Sequence, residues 1–132
     1  MQAWKVKSSI IPGKVYGSVN KIARSIFHVI ERRSKRKPYI RSKYFHKQKV
    51  FLSFFWDHLA TKWPRDRVRR LKYFVCALEV IRHSPFDPEV VANPNNKQEL
   101  FYRFYGQVKN SGTFVVQIKK DGLSDISRWF FR

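Results

Sequence analysis

The chain has 132 residues, with 28 Lys and Arg against 9 Asp and Glu, a formal net charge of +19 and a sequence pI near 10.6. This length supports one hydrophobic core and is cramped for two, while 43% hydrophobic and 17% aromatic residues exclude a disordered basic tail. Charge on this scale repels itself, and a polyanion relieves the repulsion with release of counterions, so the expected partner is nucleic acid, RNA favoured over DNA.

Residues 1–11 carry Lys5 and Lys7 but no continuous apolar stretch followed by small residues, so they do not read as a secretory signal, and a cytoplasmic location is expected. Val19, Ile22, Ala23, Ile26, Phe27 and Ile30 share one face of a helix, with Ser18 placed to cap it. The helix should stop within 31–38, where Arg32, Arg33, Lys35, Arg36 and Lys37 repel one another and Pro38 interrupts. That run reads either as a solvated linker or as a phosphate-contacting patch. Residues 49–54 have the aromatic and β-branched character of a strand. The apolar run 51–56 is far short of the roughly 20 residues of a membrane span, and no membrane association is expected.

A short helical turn is predicted at 56–59, and Pro64 is placed to open a further helix. On that helix Val68, Leu71, Val75, Leu78 and Ile81 form one apolar face, while Arg65, Arg67, Arg69, Arg70, Lys72 and Arg82 make the other strongly basic. Cys76, the sole cysteine, excludes an internal disulfide and a cysteine-based zinc cluster and reads as a small core residue. Residues 84–88 end the helix, and 92–96 read as an exposed loop. Strands are predicted at 99–105, 113–119 and 126–131, separated by turn signals at Asn110-Ser111-Gly112 and Lys120-Asp121-Gly122. The pattern predicts an α+β domain at 48–132, with two or three helices packed on one face of an antiparallel sheet of about four strands, preceded by a semi-independent basic arm at 1–47.

From Lys49 onward the order of features resembles the phage-associated nucleases of the barnase, EndoU, colicin RNase and RelE superfamily. The matching text is Lys49-Val50-Phe51-Leu52-Ser53, then Trp56-Asp57-His58-Leu59, then the Arg-rich helix ending at Ile81-Arg82. Phe101-Tyr102-Arg103-Phe104, residues 114–119 and Ile126-Ser127 follow. The resemblance implies a metal-independent endoribonuclease without a cofactor, acting as a toxin or effector on cellular RNA. It assigns acid/base catalysis to His58, a phosphate clamp to Arg103 and a hydrogen-bonding role to Ser127. It also implies an acidic antitoxin or immunity protein as a second partner.

The residues themselves leave other readings open. His58 follows an aromatic cluster and also suits a packed imidazole. Arg103 shares a strand face with Phe101 and Tyr105, an arrangement that fits either base stacking around a phosphate clamp or an arginine reaching to solvent from a half-buried sheet. Tyr102, Lys119 and the basic residues 65–72 and 32–37 are the candidate nucleic-acid contacts. His46 and His83 border basic stretches and read either as phosphate contacts or as plain surface residues. No two histidines have the spacing of a metal pair, so no metal site is expected. A non-catalytic RNA- or DNA-binding protein uses the same charge and aromatics and stands as the alternative.

Overall fold

A computed structural model of the chain describes residues 2–121 and 127–130. Its elements, in chain order, are β1 (Ala3–Lys5), α1 (Tyr16–Arg33), β2 (Tyr39–Ser42), β3 (Gln48–Phe51), α2 (Ser53–Leu59), α3 (Pro64–Lys72), α4 (Phe74–His83), β4 (Glu89–Asn93), β5 (Asn96–Val108), β6 (Gly112–Asp121) and β7 (Ser127–Phe130). The fold is α+β, as the sequence pattern predicts. The described strands form one seven-stranded sheet in the order β1-β5-β6-β7-β3-β2, with β4 also on β5. It is mixed: β1 runs parallel to β5 and β3 parallel to β7, while the other pairs are antiparallel.

The amphipathic spacing of α1 buries Val19, Ala23, Phe27 and Ile30. Ser18 is not its cap. The helix starts earlier, at Val15, and the Ser18 hydroxyl donates back to the Val15 carbonyl at 3.0 Å. At the other end Ser34 turns to extended backbone, and its hydroxyl donates to the Ile30 carbonyl while accepting from Tyr39 N–H. The single basic helix expected after Pro64 is two helices, α3 and α4, broken at Tyr73, whose ψ of 3° interrupts the helical path. Residues 92–96 are a β4–β5 hairpin turning at Pro94-Asn95, not an open loop. The predicted turn at Gly122, and Ile126 and Phe131 at the ends of the last predicted strand, lie outside the described residues.

Residues 2–47 contribute to the core shared with the rest of the chain. Ile11, Val19, Phe27, Ile40 and Phe45 belong to the same buried cluster as Phe55, Leu71, Phe74, Phe104 and Val116. Four aromatic rings centre it: Phe27 and Phe55 lie 5.2 and 5.0 Å from Trp56, which lies 5.5 Å from Phe74. The N-terminal segment is strapped down by Glu79 of α4. Its carboxylate accepts from Trp4 Nε1 and Lys7 N–H at 2.8 Å, and from Ser8 N–H at 3.0 Å and the Ser8 hydroxyl at 2.7 Å. Burial alone would raise the Glu79 pKa, but these donors together hold it below the ordinary carboxylate value.

Alternation along the strands sets the two faces of the sheet. Phe104, Gly106, Val116 and Ile118 face the helices and are buried. At Gly106 a Cβ would run into the Phe114 ring and lie 2.9 Å from Val80 Cγ2, so glycine permits the closest approach of α4 to the sheet. Arg103 and Gln117, one residue out of phase, point away from the helices.

Candidate functional site

The face of the sheet turned away from the helices carries Arg103. Its Nε donates to Gln117 Oε1 at 3.1 Å and its Nη1 to Glu89 Oε1 at 3.3 Å. On the same face Lys119 pairs with Glu99 at 2.9 Å, both side chains about one-fifth exposed. Arg103 and Lys119, the cations expected to contact nucleic acid on this face, are therefore answered by carboxylates.

His58 lies elsewhere. It sits on α2, in the helical layer where Phe55 and Trp56 pack on Phe74. The sheet stands between it and Arg103, so the two do not form one site. Burial first, then Lys62 and Arg70, lower its pKa from the ordinary histidine value. These surroundings match a packed, neutral imidazole. Ser127 is described by its backbone alone, opposite Val50 of β3 and Lys120 of β6; its hydroxyl lies outside the described residues.

The basic residues of α3 divide. Arg67 is committed internally, donating to the Lys62 and Ala60 carbonyls at 2.8 and 3.0 Å and closing the α2–α3 connection. Arg70 is half-buried beside His58, and burial, followed by Arg69, lowers its pKa. Arg65, Arg69 and Lys72 line a groove facing residues 10–16. Arg32, Lys35, Arg36 and Lys37 are exposed around the end of α1, and Arg33 faces a groove of its own.

Three grooves meet at the β2 edge of the sheet. One of about 620 Å³ lies between the end of α1 and β2, with an apolar floor of Ile26, Ile30 and Ile40 and a rim of Arg33, Arg41 and Arg82. It shares Arg41 and Arg82 with a second, of about 710 Å³, which adds Lys43, Lys47, His46 and His83. That one shares Lys43 and His46 with a third, of about 530 Å³, lined also by Tyr44, Tyr102 and Lys120. The three form one trough, and among the described residues no aspartate or glutamate is in its lining, although Asp87 lies near enough to Tyr44 to act on it. Arg82 records the crowding: burial first, then Arg33, lower its pKa.

The turn that forms this trough is strained. His46 and Lys47 both have left-handed backbone, with φ of 55° and 67°, in a connection that glycine or asparagine ordinarily fills. It is held by Lys47 N–H to the Ser42 carbonyl at 2.7 Å and by Arg41 Nη1 to the Lys47 carbonyl at 2.9 Å. The turn aims His46 into the trough. Sequence reading places His46 and His83 on the surface individually; their meeting in one groove depends on β2 packing beside the end of α4, which no local pattern signals. Tyr44, in the same wall, has its pKa raised by burial, then by Asp87 and Tyr102.

Among the described residues there is no group of three or more His, Cys, Asp or Glu able to hold a metal ion, and no helix long and apolar enough to cross a membrane. No protein-family model, curated protein or solved structure matches this chain.

Proposed function

We propose that this protein binds single-stranded RNA along the trough at the β2 edge. The observation that carries the reading is the composition of the trough walls: Arg33, Arg41, Lys43, Lys47, Arg82 and Lys120 line three joined grooves, with no carboxylate among the described lining residues. Arg103 and Lys119 on the far sheet face are paired with Glu89 and Glu99, whereas the cations named here line the trough. Tyr102 and Tyr44 supply flat apolar surface within it. A basic groove that follows the phosphates, combined with rings that accept bases, is the general solution for holding a single strand. An acidic inhibitor protein would compete for the same cations, and RNA as the partner fits action in the cytoplasm.

A second reading, cleavage of the bound RNA without a metal, is favoured by His46 and His83 lining one groove with Arg41 and Lys43. One imidazole takes the ribose 2′-hydroxyl proton, and the 2′-oxygen bonds to phosphorus. The bond from phosphorus to the 5′-oxygen breaks, and the other imidazole, protonated, supplies that oxygen's proton. The products are a 2′,3′-cyclic phosphate and a 5′-hydroxyl, with both protons accounted for and the cations holding the phosphate. In this reading the acid/base role passes from His58 to the trough pair.

The test is fluorescence anisotropy with a labelled single-stranded RNA, alongside gel analysis of the same RNA in EDTA. Binding that weakens steeply with salt and is at least tenfold weaker in Arg41→Ala/Arg82→Ala is expected. Absent or salt-insensitive binding overturns the proposal. Cleavage in EDTA that disappears in both His46→Ala and His83→Ala supports the second reading, and an intact RNA removes it while leaving binding in place.

A further inference from the structure

A groove of about 680 Å³ lies at the opposite end of α1 from the trough, between residues 10–16 and α3. Tyr16 and Tyr73 contribute rings to it, Lys14 stands on one wall, and Arg65, Arg69 and Lys72 stand on the other. Among the described residues no carboxylate is in its lining. Asp66 reaches Arg69 at 2.9 Å, but Arg69 is 68% exposed in this pair, and such a contact is readily given up.

Beside Pro64 in the groove wall, Trp63 is 80% exposed. It is the residue before α3, with extended backbone. The buried core cluster does not include this ring. A large aromatic left in water next to a groove lined by four cations, of which Arg69 has an exposed pair with Asp66, matches a ligand that presents a flat ring and an anion together. A nucleotide does so. An acidic peptide offers carboxylates without an obligatory ring, and is the weaker match.

We propose that this groove is a second site for single-stranded RNA, in which a base stacks on Trp63 and the adjoining phosphates seat on Lys14, Arg65, Arg69 and Lys72. Tyr16 lines this groove and Arg33 the trough, so at a rise of 1.5 Å per residue the two sites stand about 25 Å apart along α1. A short oligonucleotide fills them independently. A long strand engages both, and the second contact becomes intramolecular, which raises affinity without any new interaction. The two-site part of this inference rests on the trough reading; the Trp63 site itself does not.

The experiment uses the full chain as wild type, Trp63→Ala, Trp63→Phe and Arg41→Ala/Arg82→Ala. Calorimetry with an oligouridylate too short to span α1 gives the stoichiometry, and anisotropy with a long single strand gives the affinity. Two short oligonucleotides per wild-type chain are expected, and one for both Trp63→Ala and the trough variant. The long strand should bind Trp63→Ala at least tenfold more weakly, with Trp63→Phe recovering most of the loss because its ring still stacks. Equal stoichiometry and affinity for wild type and Trp63→Ala overturn the second site, and loss of binding only in the trough variant then leaves the trough reading intact. The converse, loss only in Trp63→Ala, removes the trough and keeps this groove. Polyglutamate binding that depends on Trp63, with RNA binding unchanged, gives the groove to an acidic protein and overturns the proposal.

Discussion

Salt dependence gives the trough a quantitative signature. Arg33, Arg41, Lys43, Lys47, Arg82 and Lys120 line its three grooves. With one phosphate neutralised per side chain, and a slope of about 0.7 per contact on single strands, log Kobs should fall against log salt with a slope of about −4. Raising salt from about 50 to about 200 mM then weakens binding roughly 250-fold. Replacing Arg41 and Arg82 by alanine removes two contacts, and the slope should relax to about −3. Anisotropy titrations at several salt concentrations measure both lines. A wild-type slope shallower than about −1, or one unchanged in the double variant, refutes the assignment of these cations to phosphate.

Other outcomes test the fold that builds the site. Glu79→Gln leaves one carbonyl oxygen for four donors, so two lose their acceptor; at about 1–3 kcal/mol per unsatisfied group the loss is on the order of 3 kcal/mol, and Tm should fall by about 10 °C. Because the Glu79 carboxyl is held below its ordinary value, its contribution is complete above about pH 4.3 and is lost as pH falls through its folded-state pKa; melts of the glutamine variant should lack that acid-sensitive component. Gly106→Ala, by driving a methyl into Phe114 and Val80, should cost about 1–3 kcal/mol in denaturant unfolding. His46→Gly should keep or raise Tm, since glycine accepts φ of 55° freely, while removing RNA cleavage if the trough carries it. Cys76, buried and with its thiol pushed up to about 11 by burial and then by Glu79, should resist iodoacetamide in the native protein at pH 8 and react on unfolding.

The elements with strong local patterns were legible in the sequence. The apolar spacing from Val19 to Ile30, the proline that opens α3 and the hairpin through Asn110 and Gly112 each carry their own signal, and each stands where expected. The elements that escaped are set by distant partners. Ala3–Lys5 is a strand because β5 offers its edge and Glu79 anchors Trp4, and Tyr39–Ser42 is one because β3 lies beside it. The place of the candidate site was not legible. Charge and aromatic content point to nucleic acid, but local sequence cannot show that Glu89 and Glu99 cross strands to answer Arg103 and Lys119. Nor can it show that residues as distant as Arg33, His46, Arg82 and Lys120 converge on one trough.

The central claim, that RNA lies in the trough and not on the far face of the sheet, is tested most directly by two double variants in one binding assay. Arg41→Ala/Arg82→Ala removes cations from the trough, and Arg103→Ala/Lys119→Ala removes those paired with glutamate on the sheet. With folding of both confirmed by thermal melts, the trough variant should bind a short single-stranded RNA at least tenfold more weakly than the sheet-face variant, which should match wild type. Loss of binding in the sheet-face variant, with the trough variant unchanged, contradicts the account.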